Sequence, residues 1–178
     1  MKNKLSFKIA FSGLMAALSV AILLLSGFVP ILTYCAPLFA CIFLVPVMEE
    51  LNKKWAWMTW TAASLLSLIL CADKEAAFFY MFIGYYPMLK PFLDRIWNKP
   101  LRMLAKLGVF SIAIVSMYAL LYYVIRLDVV MQDMQSVSLI INIVYIAVMV
   151  LILMCFDFIL RYISRFYRVR IKPKLKIR

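Results

Sequence analysis

The sequence predicts an all-α polytopic membrane protein, a bundle of six transmembrane helices with both termini in the cytoplasm. Three observations lead to this fold class. Hydrophobic residues make up 67% of the 178 positions and charged residues only 16%, a balance far from that of soluble domains. The apolar residues form six stretches, each close to the length that crosses a bilayer. Lysine and arginine are concentrated in alternate breaks and in the tail.

Charged or turn-forming breaks separate the six apolar stretches. A helix needs roughly 20 residues to cross a hydrocarbon core of about 30 Å. The expected spans are residues 6–26, 28–48, 55–72, 76–96, 107–127 and 136–160. The first break is little more than Gly27, so the first two helices are expected to form a tight hairpin. The chain therefore divides into a six-helix transmembrane domain, residues 1–167, and a basic cytoplasmic tail, residues 168–178.

The fourth span contains residues that disturb a regular helix. Pro87 leaves the carbonyl of Ile83 without its helical hydrogen bond, and Gly84 adds flexibility next to it. We therefore expect this helix to bend near Gly84 and Pro87. In a bilayer, such a bend is tolerated where the backbone is buried in protein or lines a cavity.

Lys90, in the same span, places a cation in or near the bilayer. Such a charge is costly unless the ammonium reaches the headgroups or finds a carboxylate. The sequence leaves both possibilities open. The side chain could extend to the cytoplasmic surface, or it could pair with Asp94, one turn away, or with Asp157 of the last span.

Orientation follows from the distribution of the cations. With both termini inside, 18 of the 20 lysines and arginines lie on the cytoplasmic side, including Lys106 in the fourth break, and only Lys74 and Arg126 lie outside. This distribution predicts a multi-pass protein of the cell membrane and explains most of the +12 net charge without nucleic acid. The tail, RVRIKPKLKIR, is expected to bind anionic lipid, with an acidic patch on a partner protein as the alternative.

The residue types used by common catalytic sites are missing. The chain contains no histidine, and its four cysteines are isolated within apolar stretches, so Ser-His pairs, Cys-His pairs and typical zinc sites are excluded. Its four glycines form no phosphate-binding loop, so ATP cannot drive it directly. We expect a protein that is not an enzyme and that carries no cofactor and no metal.

Small residues follow one face of the first helix. In the sequence KIAFSGLMAALSVA, Gly13, Ala17 and Ala21 recur at intervals of four, a spacing that lets another helix approach closely. This face could pack against helices of the chain itself or against a partner. Together with six spans and two cytoplasmic termini, it resembles the substrate-binding S components of energy-coupling factor (ECF) vitamin transporters. The layout is also similar to that of rod-shape proteins of the MreD type.

The resemblance to S components implies a function in import. The chain would bind a small water-soluble compound such as a vitamin and would dock through Gly13, Ala17 and Ala21 onto a transmembrane coupling subunit, with separate ATPases supplying the energy. The alternative is a membrane scaffold or assembly protein of the MreD kind, which would recruit partners through its inner loops and basic tail.

The resemblance also implies where the ligand is held, namely in the outer half of the bundle. The candidate substrate contacts are Tyr34, Asp73, Lys74, Glu75, Tyr80, Tyr85, Tyr122, Tyr123, Arg126, Asp128 and Asn142. Some of these tyrosines could instead belong to an aromatic belt, and Asn142 could form an interhelical hydrogen bond. Aromatic residues, 15% of the chain, would suit a flat heterocycle held by ring stacking.

Overall fold

All secondary structure in the described part of the chain is helical, with no strand, in a computed structural model of this protein. The backbone is described for residues 2–28, 32–120 and 139–171. Within those ranges the side chains are described for residues 5–28, 32–117, 119–120 and 147–170. The all-α prediction is therefore confirmed for these ranges.

Eight α-helices lie in the described ranges. They are α1 (Lys2–Leu25), α2 (Leu32–Ile42), α3 (Leu44–Glu50), α4 (Lys53–Leu70), α5 (Lys74–Ile83), α6 (Tyr86–Leu93), α7 (Lys99–Leu120) and α8 (Leu139–Phe166). A 3-10 turn, Ser26–Phe28, follows α1, and a π-helical turn, Tyr167–Ile171, follows α8. Because α2 and α3 are nearly continuous, as are α5 and α6, the eight helices make up six helical segments.

Four of these segments contain stretches long and apolar enough to cross a membrane. The stretches are Leu5–Phe28, Leu32–Glu50, Lys99–Met117 and Ala147–Arg170. The chain is accordingly a helical multi-pass membrane protein. The third and fourth predicted spans correspond to α4, which begins with two lysines, and to α5 with α6, which is interrupted. That these two segments also cross the membrane stays a prediction.

Proline explains both interrupted segments. Pro87 has no N–H to donate to the carbonyl of Ile83, and α5 ends at Ile83 while α6 begins at Tyr86, so the helix is interrupted where the bend was predicted. Pro46 acts in the same way on the carbonyl of Ile42, the last residue of α2.

Four helices pack in a ring within one of two compact units. Contacts divide the chain into residues 1–91 with 159–178, and residues 92–158. In the first unit, α1 packs against α2 and α4, and α5 also packs against both of them. The buried alanines of these helices, each at most 1% exposed, include Ala36, Ala40, Ala56, Ala63, Ala76 and Ala77. Small side chains of this kind allow the close helix contacts on which packing in lipid depends.

The second unit contains a group of three charged residues, the Lys106 triad, in which Lys106 and Asp157 are buried and Asp94 is partly exposed. Lys106 Nζ donates to Asp94 Oδ1 at 2.6 Å and to Asp157 Oδ2 at 2.8 Å. The side chains of Lys106 and Asp157 are each only 3% exposed. Lys106 was expected in a cytoplasmic break, but it lies inside α7, where it binds the two carboxylates that were considered for Lys90. Lys90 is itself 7% exposed and has an interaction partner of its own.

Candidate functional site

A cavity of about 350 Å³ opens at one end of the four-helix ring. It lies where α1 turns into α2 and where α4 turns into α5, and its lining residues are Ser26, Gly27, Thr33, Ala72 and Asp73. We call it the Asp73 cavity. The two turns are close together, since a Cβ placed on Gly27 would lie 3.5 Å from the Cβ of Ala72. The cavity is thus formed by chain segments that are distant in sequence.

Asp73 is held in the cavity wall by the start of α5. Its Oδ1 accepts a hydrogen bond from the backbone N–H of Ala76 at 3.2 Å, so Asp73 is the N-cap of that helix. Aspartate is one of the residues preferred at this position because it satisfies an N–H that has no partner within the helix. The bond that begins α5 therefore also orients the carboxylate.

Two of the predicted substrate contacts bind each other beside the cavity. Tyr34 of α2 donates its hydroxyl to Glu75 Oε1 of α5 at 2.8 Å. The Tyr34 ring packs edge-on against Phe79, with ring centroids 5.8 Å apart. The structure thus brings Tyr34 and Glu75 together, and their hydrogen bond links α2 to α5.

Lys74 is directed toward the end of α4. Its Nζ donates to the carbonyl of Leu68 at 2.7 Å. Because the last carbonyls of a helix have no partner within the helix, a lysine at this place caps α4 and suits the negative end of the helix dipole. The side chain has a structural function that its sequence position alone did not indicate.

Tyr80 and Tyr85 lie farther from the cavity along α5 and beyond its end. Tyr80 is completely buried. Tyr85 belongs to an aromatic cluster with Trp57 and Trp60 of α4: its ring is parallel to Trp57 at 6.4 Å and nearly perpendicular to Trp60 at 6.0 Å. The structure therefore does not place Tyr85 beside Asp73.

The remaining predicted contacts cannot be placed against the cavity. Four of them lie outside the described residues: Tyr122, Tyr123, Arg126 and Asp128. Asn142 lies in α8, but its side chain is outside the described part. Their assignment to the site stays a prediction from the sequence.

Three buried polar atoms of α4 and α5 have no hydrogen-bond partner in the described part of the protein. They are Trp60 Nε1, Ser64 Oγ and Tyr80 OH. Ser64 and Tyr80 are each six residues, or about 9 Å of helix, from the α4–α5 turn at the cavity. A buried group of this kind is costly until it gains a partner, for which an internal water or a polar group of a ligand is suited.

Replacing Tyr80 by phenylalanine is expected to show whether its hydroxyl contributes to the stability of the fold or to the binding of a ligand. Because the hydroxyl has no partner in the described chain, Tyr80→Phe should leave the ligand-free protein as stable as before or more stable, by up to about 1–3 kcal/mol. Affinity for a ligand that uses the hydroxyl should fall about 10-fold. Unfolding in detergent and ligand titration measure the two effects, with exposed Tyr162→Phe as the control. A clear loss of ligand-free stability would contradict the expectation.

Sequence reasoning missed several residues of this region. Ser26, Thr33 and Ala72 line the cavity, and Ser64 is one of the buried polar groups. Ser26 adjoins the predicted Gly27 turn, and Ala72 adjoins Asp73, so proximity to a predicted turn was the available signal. Thr33 and Ser64 gave no such signal, because small hydroxyl residues are common within membrane helices.

The small-residue face of α1 forms a second surface. Gly13, Ala17 and Ala21 are all exposed, and a Cβ placed on Gly13 would have no atom within 4 Å. A neighbouring side of α1 packs in the ring through buried residues that include Ala16, Ser19, Val20 and Leu23. Ser19 Oγ also donates to the carbonyl of Ala40 in α2 at 3.2 Å. Among the described residues of the first unit, the predicted docking face is therefore not the face with which α1 packs against α2 and α4.

Comparison with known proteins identifies no relative of this chain. No family model, no curated protein and no solved structure matches it. The resemblance to S components accordingly rests on the layout of the spans and on the α1 face.

Proposed function

We propose that this chain is the substrate-binding membrane subunit of an ECF-type importer for a small water-soluble compound such as a vitamin. The observation that carries the proposal is the exposed face of Gly13, Ala17 and Ala21. In lipid, apolar surface alone gives little drive for helix association, so a face of small residues is valuable mainly for close helix contact. Since α1 packs in the ring through other residues, a separate transmembrane subunit is the partner that this face suits.

The Asp73 cavity supports the binding part of the proposal. The cation distribution predicts that the turns at Gly27 and Asp73 face the outside of the cell. A cavity at that end, of about 350 Å³, would receive a solute before any transport step. Its volume lies at the lower end of the roughly 300–1,000 Å³ typical of small-molecule sites. A compact solute therefore fits better than a large one.

The energy for import would come from another protein. The sequence has no glycine-rich phosphate-binding loop and no histidine-based catalytic group, so the proposed chain binds and presents its cargo without catalysis. In this arrangement both termini lie in the cytoplasm, where the ATPases would assemble with the coupling subunit. The basic tail would hold the cytoplasmic side to anionic lipid.

Uptake tests the proposed function directly. Cells that co-express the chain with the coupling subunit and ATPases of an ECF module should take up a labelled solute that neither part imports alone. Native mass spectrometry of the complex in mild detergent should show the chain, the module and a bound small molecule. An isolated chain with neither cargo nor module subunits, together with no uptake, would contradict the proposal.

A larger side chain on the small-residue face is expected to abolish binding of the ECF module while leaving the fold of the chain intact. Ala17 is exposed, so Ala17→Leu should change the stability of the isolated chain by no more than about 0.5 kcal/mol. The added side chain should prevent close helix contact and abolish co-purification with the module. The matched control is Ala62→Leu, at an exposed alanine of α4, which should retain the module. Retention by both variants would rule out this face as the docking surface.

A further inference from the structure

The lining of the Asp73 cavity differs from that expected for a flat heterocycle. The five described residues that line it are Ser26, Gly27, Thr33, Ala72 and Asp73, and none of these is aromatic. Tyr34 stands nearby, but its ring packs on Phe79 and its hydroxyl binds Glu75. Recognition in this cavity must therefore depend on hydrogen bonds and charge more than on ring stacking.

Two of the three described polar side chains of the lining, Asp73 and Ser26, present hydrogen-bond acceptors, and the third, Thr33, has a hydroxyl that can donate or accept. The Asp73 carboxylate is acceptor-only when ionised and offers about four lone-pair positions, one of which is used by the N–H of Ala76. Ser26 donates its only hydroxyl proton to the carbonyl of Leu23 at 2.7 Å, so its oxygen can act toward a ligand only as an acceptor. A solute that brings hydrogen-bond donors complements both groups.

The charges around the cavity favour a cation. Asp73 is the only charged residue among the five that line it. The N-terminus of α5 contributes about half a positive charge, which is less than the full negative charge of the carboxylate. Of the two neighbours, Lys74 is bound to the carbonyl of Leu68 and Glu75 to Tyr34, and their formal charges cancel. The remaining local charge is negative.

We propose that the Asp73 cavity binds a small organic cation whose ammonium group contacts the Asp73 carboxylate. This inference rests on the proposed function and specifies its substrate class. The cation donates to Asp73 and to the oxygen of Ser26, while Gly27 and Ala72 leave room for its small body. A carboxylate-bearing solute of the same size is repelled by Asp73.

Three probes of similar size and different charge test the substrate class. Protonated ethanolamine, neutral ethylene glycol and anionic glycolate each have two carbons and a hydroxyl group. Thermal unfolding of the purified full-length chain in detergent is followed while each probe is titrated. Ethanolamine should raise the unfolding temperature at concentrations about 10-fold lower than ethylene glycol, and glycolate should have no effect.

Asp73→Asn is the decisive variant, because asparagine caps helices as well as aspartate and should preserve α5. It should weaken ethanolamine binding about 10-fold while leaving the response to ethylene glycol unchanged. Glu50→Gln makes the same change of charge at a distant carboxylate, where the amide oxygen can still accept from Tyr167, and should bind ethanolamine like the unmodified protein.

The outcomes distinguish this inference from the proposed function. No response to ethanolamine, stronger binding of glycolate, or an Asp73→Asn variant that binds ethanolamine normally would overturn the cation assignment. If the chain nevertheless assembles with the module and carries another solute, the proposed function stands. If ethanolamine binds through Asp73 but the chain joins no module and supports no uptake, the binding site stands and the proposed importer is wrong.

Discussion

Lys106→Met should be the most damaging single substitution in the second unit. The ammonium of Lys106 is bonded to both Asp94 and Asp157, and the side chains of Lys106 and Asp157 are each 3% exposed. Removing it leaves a buried carboxylate without this partner, a change that typically costs about 3–5 kcal/mol. Denaturant titration in detergent, followed by the helical circular dichroism signal, should show this loss.

A double variant tests whether charge is the cause. Adding Asp157→Asn to Lys106→Met removes the buried negative charge and keeps a side chain that can hydrogen-bond, so part of the lost stability should return. Lys99→Met is the matched control, because Lys99 is an exposed cation at the start of the same helix. A double variant less stable than Lys106→Met alone would show that the charge of Asp157 is not the source of the loss.

Gly84→Ala should destabilise the four-helix ring. A Cβ at Gly84 would lie 2.8 Å from the indole ring of Trp60 and 2.5 Å from the carbonyl oxygen of Tyr80. Both distances are too short for a carbon atom. The contact with Trp60 would push α4 and α5 apart, and the contact with Tyr80 would distort the backbone at the end of α5. Overpacking of this kind costs about 1–3 kcal/mol, and Gly84→Leu should cost more than Gly84→Ala. The midpoint of unfolding in detergent measures the effect.

Gly108→Ala is the control for this prediction. A Cβ at Gly108 of α7 would have no atom within 4 Å, so the alanine should be neutral or should stabilise the helix slightly. If Gly84→Ala and the unmodified protein have the same midpoint of unfolding, α4 and α5 are farther apart at Gly84 than in the structure.

Local chemistry explains which features could be predicted from the sequence. The interruption after Ile83 follows from the missing N–H of Pro87, whatever the helix packs against. The hairpin at Gly27 and the break at Asp73 follow from turn residues and charges between apolar stretches. Charge and turn chemistry therefore located the Asp73 end of the bundle before any contact was known.

Pairing between helices could not be predicted in the same way. Nearly every face of these helices is apolar, so hydrophobic periodicity does not decide which faces meet. Asp94 and Asp157 were recognised as partners for a cation, but only the packing of the second unit shows that Lys106 binds both. Likewise Tyr34 and Glu75 were chosen separately, and their mutual hydrogen bond depends on the packing of α2 against α5.

The end of α8 is bonded to the end of α3. Arg168 donates from Nη2 to Glu49 Oε1 at 2.7 Å, and Tyr167 donates its hydroxyl to Glu50 Oε1 at 3.2 Å. Two helix ends in direct contact lie at the same face of the bilayer. The chain between them therefore crosses the bilayer an even number of times. If the chain crosses the bilayer twice between residues 99 and 166, α4 and the α5–α6 segment either both cross it or both remain on one side of it. The chain from α1 to α8 would then cross four or six times, a count that does not use the distribution of lysine and arginine.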